Sequence, residues 1–277
     1  MKRKKPKVPP PTSPTFDSIE AELRFGGDRE AIEKVCRDIA EYLQRGNFPK
    51  EYVEYVDIGR APKKNFAQRF SAALAQKIAN ELRHRGLDEV LPNASGGGHE
   101  TEARGGDAIY RIDVNYSTRQ GGLSLAISVK TVNFRDARSK RYTKNIRRAD
   151  KELRAEADEC HKRHPYAVLA AVVLMPVDAA FDEADGNKTK DRKSSLKHAW
   201  SIYRHRGGRE STRGEEALFE NVFIGVYQTH LDRLGVVSLF DVTEVEPPAY
   251  GLPEQMLTLT QVLDRIYTLF TRRNPRR

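Results

Sequence analysis

Cysteine is nearly absent: Cys36 and Cys160 are the only two in 277 residues. They are too few for a disulfide framework and lack the paired spacing of a zinc site, so a reducing cytoplasm is the simplest setting. Long apolar runs are missing too. The longest, Tyr166 to Met175, is half the roughly 20 residues a membrane span needs and reads as a buried strand, with no membrane partner implied. The basic N-terminus lacks the apolar segment of a secretory signal, which argues against export. Gly96-Gly97-Gly98 has no lysine behind it, so no phosphate-cradling loop supports an intrinsic ATPase.

Positive charge is abundant. Lys and Arg number 48 against 39 Asp and Glu, for a net charge of +9. Such a field favours a polyanion partner without naming it. Met1 to Pro14 carries five of these cations and then Pro9-Pro10-Pro11, the composition of a disordered basic arm over residues 1–15.

Apolar positions Ile32, Val35, Cys36, Ile39 and Leu43 predict a helix from Asp28 to Gly46. A stronger stripe, Phe66, Phe70, Leu74, Ile78 and Leu82, predicts a helix from Asn65 to Arg85. A polar, glycine-rich loop is expected over Asn93 to Gly106. Alternation then predicts a strand over Ala108 to Tyr116, with Tyr110, Ile112, Val114 and Tyr116 on one face and Arg111, Asp113 and Asn115 on the other. A second strand, Leu123 to Thr131, sets Leu123, Leu125, Ile127 and Val129 opposite Ser124, Ala126, Ser128 and Lys130, with Gln120-Gly121-Gly122 as the turn.

Lys144 to Arg163 reads as a helix ended by Pro165. The strand Tyr166 to Met175 follows, then a polar loop over Asp182 to Lys193 and a helix over Ser194 to Arg206. Strands over Val222 to Gln228 and Val236 to Val242 precede a helix from Leu259 to Phe270. Helices flanking a mixed sheet make the fold α/β. The expected division is the arm, a helical region over 16–92 that packs on the core, and a core over 93–277.

The chemistry concentrates between Asp113 and Lys130. In a hairpin Asp113, Ser128 and Lys130 project from one polar face. A carboxylate there suits Mg²⁺, a hard ion that keeps several waters and bridges to phosphate. A lysine beside it can act on water or stabilise charge developing on a phosphorane. Activation of Ser128 as a nucleophile by Lys130 is the other chemistry open to the pair, but no oxyanion loop accompanies it.

Ile112-Asp113-Val114 on one strand and Ser128-Val129-Lys130 on the next resemble the PD-(D/E)xK nuclease superfamily, which includes most type II restriction enzymes. The resemblance implies a restriction-endonuclease-like core, with Asp113 as metal ligand and Lys130 as catalytic lysine. No proline precedes Asp113, and serine stands where the pattern has an acid two residues before the lysine. Some restriction enzymes with Ser-x-Lys take that acid from the following helix. Taking about 100° per residue, Glu156 and Asp150 flank that helix's apolar stripe by about 60° on opposite sides, Glu152 lies about 100° away, and Asp158 and Glu159 point further out. Glu156 is the first candidate ligand and Asp150 the second. Glu100 and Glu102, ahead of the first strand, are further candidates, and Glu81 is the one acid of the Asn65 to Arg85 helix.

The stretch Gly121 to Pro176 also resembles uncharacterised bacterial proteins labelled restriction endonucleases. The shared features are Gly122-Leu123, Ile127-Ser128-Val129-Lys130-Thr131, Asn133-Phe134-Arg135-Asp136, Lys144-Asn145 and His161 to Tyr166. That likeness implies defence against foreign DNA and a Mg²⁺ cofactor, with Mn²⁺ as a substitute. A homodimer, or a partner protein of a defence system, is compatible with it.

Nine cations lie between Arg135 and Arg154: Arg135, Arg138, Lys140, Arg141, Lys144, Arg147, Arg148, Lys151 and Arg154. Their density after Lys130 suits phosphate contacts on DNA, and a solvated, salt-bridged helix face is the alternative. His161 and His164 read as a helix-end packing feature near the C-terminal dipole, with a metal pair at i, i+3 as the alternative. Trp200 reads as core rather than as a base-stacking platform. The expected activity is Mg²⁺-dependent DNA hydrolysis; a catalytically inactive DNA-binding subunit and an RNA nuclease stand as alternatives.

Overall fold

The computed structural model describes residues 17–18, 60–98, 101–104, 109–118, 121–133, 142–182, 193–227 and 236–275. The expected arm, the Asp28 to Gly46 helix and most of the Asp182 to Lys193 loop lie outside them. The described elements run β1 (Asp17–Ser18), α1 (Arg60–His84), β2 (Thr101–Arg104), β3 (Ile109–Ile112), β4 (Val114–Thr118), β5 (Gly122–Thr131), α2 (Thr143–Arg163), β6 (Val168–Pro176), a 3₁₀ turn (Val177–Ala180), α3 (Ser195–Tyr203), β7 (Asn221–Tyr227), β8 (Val236–Asp241) and α4 (Leu259–Arg273).

The main sheet is mixed, in the order β1-β8-β7-β6-β5-β4, with the two-residue β1 at one edge. β5, β6 and β7 are mutually parallel; β4 and β8 flank them antiparallel. Parallel neighbours need crossovers, and α2 and α3 supply them. The central β6 is buried along its whole length because helices cover both faces.

Alternation along the strands divides the core in two. Leu125, Ile127 and Val129 of β5 pack with Phe70, Leu74, Ile78 and Leu82 of α1 and Val262, Leu263 and Ile266 of α4. Ala126 of β5 packs on the other face with Ile146, Leu153 and Ala157 of α2 and Leu196, Trp200 and Tyr203 of α3. The structure is therefore α/β, a mixed sheet flanked by helices. The α1 stripe recurs every fourth residue, and the helix ends where Gly86 takes φ 90°, a conformation that costs glycine little. Leu153, with no exposed surface, fixes α2 on the sheet; truncation to alanine would cost about 2–5 kcal/mol.

The polar, glycine-rich loop expected over Asn93 to Gly106 contains β2, which pairs with β3 in a separate two-stranded sheet. The single strand expected over Ala108 to Tyr116 is two strands, broken at Asp113. Ile112 consequently lies in the α2-side cluster and Val114 in the α1-side cluster, not on one face. Leu123 also departs from its expected face. The β4–β5 register passes from Tyr116 opposite Leu125 to Ser117 opposite Leu123, so Ser124 is an inserted bulge residue that turns Leu123 toward α2. No helix of the described residues is long and apolar enough to cross a membrane.

Candidate active site

Asp113 is the one residue between two pairings: β3 leaves the small sheet at Ile112, and β4 enters the main sheet at Val114. A continuing strand would present a backbone carbonyl to the Val129 N–H of β5. The chain bends away there, and the Val129 N–H donates to Asp113 Oδ2 at 2.7 Å. The carboxylate thus caps the ladder, which satisfies an amide that burial would otherwise leave at a cost. Its charge also reaches Lys130.

Ser128 and Lys130 point from β5 toward α2, where Glu156 meets both. The Ser128 hydroxyl donates to Glu156 Oε2 at 2.7 Å, and Lys130 Nζ donates to Glu156 Oε1. The face that bears them is polar but not open, because α2 covers it. Ser128 is buried, while the Lys130 and Glu156 side chains each keep 17% of their surface exposed. Burial pulls the Lys130 pKa down, but Glu156 first, then Asp113 and Glu152, outweigh it and hold the ammonium above its ordinary value. Lys130 is therefore a cation at neutral pH.

The other candidates do not join this group. Asp150 lies on the opposite flank of α2, where Arg206 grips both its oxygens at 2.6 and 3.2 Å. Glu152, half-buried one turn before Glu156, pairs with Arg148 and reaches Lys130 through its charge alone. Glu81 pairs with Arg85. Glu102 stands opposite Arg111 in the β2–β3 register, and its side chain lies outside the described residues, as does Glu100. Arg135, Arg138, Lys140 and Arg141 also lie outside them. Lys144, Arg147 and Arg148 are exposed on α2. Trp200 is core, its indole N–H donating to the Val242 carbonyl at 3.0 Å.

A second charged cluster escaped the sequence reading. Glu220, with no exposed side-chain surface, accepts from Arg209 Nη1 at 2.9 Å, from Arg273 Nη1 and from the Leu169 N–H at 2.6 Å. His161 Nε2 stands 3.5 Å from the same carboxylate and is fully buried. Burial would raise the Glu220 pKa, yet His161, Arg273 and the Leu169 amide outweigh it and hold it below the usual carboxylate range. The sequence hint of its burial is the apolar setting of Phe219 and Val222 to Ile224, which Asn221 interrupts.

Among the described residues no group of three or more His, Cys, Asp and Glu converges. Glu156, Asp113 and Glu152 all act on Lys130; Glu152 is engaged by Arg148, so Asp113 and Glu156 are the candidate ligand pair. That pair suits Mg²⁺, which is held by one or two carboxylates with water and substrate phosphate making up the rest. No protein-family model matches the chain, and searches of curated proteins and of solved structures find no match.

Proposed function

We propose that the chain is a Mg²⁺-dependent endonuclease with a restriction-endonuclease-like core, hydrolysing DNA phosphodiesters in restriction or anti-phage defence. The observation that carries the reading is Glu156 meeting both Ser128 and Lys130, because it supplies from the helix the acid that the Ser-x-Lys segment lacks. Asp113 and Glu156 would hold the metal, which supplies Lewis-acid charge neutralisation at the scissile phosphate. Lys130, held cationic, stabilises charge developing on the transferred phosphoryl oxygens. Ser128 orients Glu156 through its hydroxyl. Asp113, anchored by the Val129 amide, is fixed on rigid backbone, which limits the motion a ligand must lose.

One observation favours a second reading, a DNA-binding subunit without chemistry: in this arrangement both Glu156 oxygens are already engaged, by Lys130 and Ser128. Plasmid, linear duplex, single-stranded DNA and RNA, each incubated with wild type or Asp113→Ala in Mg²⁺ or EDTA, separate the readings. Metal-dependent cutting of DNA lost in the variant is the expected result. Tight binding without cutting, equal in Mg²⁺ and EDTA, would leave the binding subunit; cutting confined to RNA would change the substrate.

A further inference from the structure

The cations of α2 do not share a flank with Glu156. Arg147, Lys151 and Arg154 follow one another at i, i+4 and i+7, and all three are exposed. On a helix they lie about 140–180° around from Glu156 and form a stripe about 10 Å long. Their surroundings remove the acids that would neutralise them. Asp150, between Arg147 and Arg154, is held by Arg206, and Asp158 by Lys162. Arg148, by contrast, spends its charge on Glu152. No carboxylate among the described residues pairs with Arg147, Lys151 or Arg154. Arg206, which fixes Asp150, follows the end of α3.

We propose that this stripe is a docking surface for the phosphate backbone of duplex DNA, set apart from the cleavage site, and that it supplies affinity rather than chemistry. The proposal takes DNA as ligand from the nuclease reading. The surface itself favours a phosphate backbone over other anionic partners. The large exposed apolar residues among those described are Tyr166 and Tyr250, neither on this stripe, so it has no apolar centre for a protein interface and no wedge for a lipid surface. Uncompensated cations in a row match the dense, regular charge of a duplex, which releases counterions on contact.

The test is R147E/K151E/R154E in the full chain, with R147Q/K151Q/R154Q as a milder companion should charge reversal disturb folding. Binding to a 30-base-pair duplex is measured in EDTA across a salt series, and cleavage in Mg²⁺ under single-turnover conditions at saturating DNA. Affinity should fall at least tenfold at low salt, and the slope of log Kd against log salt should drop by about 2–3, at about 0.9 per phosphate lost. The saturated cleavage rate should stay at the wild-type value. Unchanged affinity and slope would overturn the inference, as would a stripe-dependent preference for anionic vesicles or polyglutamate over duplex. Stripe-dependent binding by a wild type that never cuts would sink the nuclease reading and leave the inference standing. Metal-dependent cutting by a wild type whose duplex affinity and salt slope do not depend on the stripe would do the reverse.

Discussion

Glu156 and His161 stand about one and a half turns apart on α2, yet each belongs to a different kind of charged cluster. Glu156 meets Ser128 and Lys130 toward the C-terminal end of β5, with Lys130 and Glu156 each keeping 17% of their side-chain surface exposed. His161 meets Glu220, which also holds Arg209 and Arg273, at the N-terminal ends of β6 and β7, where Glu220 and Arg209 have no exposed side-chain surface. Open parallel sheets bind ligands beyond the carboxyl ends of their strands. The first cluster has that position and retains access. Through Glu220, just before β7, the second ties four further segments together: the end of α2, the start of β6, the Arg209 loop and the end of α4. Burying several charges is a weak route to net stability but makes each partner hard to remove. Access, rather than charge, separates a site from a clamp.

The sharpest way to break this comparison is Lys130→Ala. On the nuclease reading it lowers cleavage by about 10³-fold, the scale of removing one pre-organised donor, while duplex affinity stays near wild type and stability falls by at least about 1 kcal/mol because Glu156 loses its partner. Wild-type cutting by this variant would end the assignment.

Glu220→Gln has the opposite signature. It leaves two guanidiniums and His161 without their buried counter-charge and should cost about 3–5 kcal/mol in urea unfolding, with the cleavage rate of the folded protein kept. Its pH dependence follows from the depressed Glu220 pKa. A carboxyl depressed in the folded state stabilises above its unfolded value, and that contribution is lost as pH falls through the folded value. Wild type should therefore lose stability below the ordinary carboxylate range more steeply than Glu220→Gln. Parallel acid-unfolding curves for the two proteins would refute the clamp.

Smaller effects separate the two flanks of α2. Glu156→Gln should reduce cleavage by about 10²-fold, as expected for loss of a ligand or its orienting partner. Asp150→Asn should leave cleavage within threefold and lower stability by about 1 kcal/mol through the partly exposed Arg206 pair. Equal losses of cleavage in the two variants would mean that the flanks are not distinct.

Much of the fold was legible because it is local. Periodicity marked α1, α2, α4 and the main strands within a few residues, since a helix or strand buries its apolar face by the spacing of its own side chains. The pairing of Asp113 with the β5 segment was legible for the same reason: a short glycine turn joins the two strands. The break at Asp113 and the Ser124 bulge were not, because both arise where the chain changes sheet partner or register, and single-strand alternation carries no signal for that.

The charged partnerships divide the same way. The sequence by itself determined that α2 carries two acids at mirror-image positions, about 60° to either side of its apolar stripe. It could not choose between them. The tertiary structure chose: α2 crosses over β5 and β6 as the connection between them, so one flank faces Ser128 and Lys130 and the other faces α3 and Arg206. The partners within the Glu220 cluster were beyond the sequence, because they come from α2, α4, a loop and the residue before β7. Apolar burial is dictated by spacing along one element; the partner of a charge is dictated by which elements the fold sets side by side.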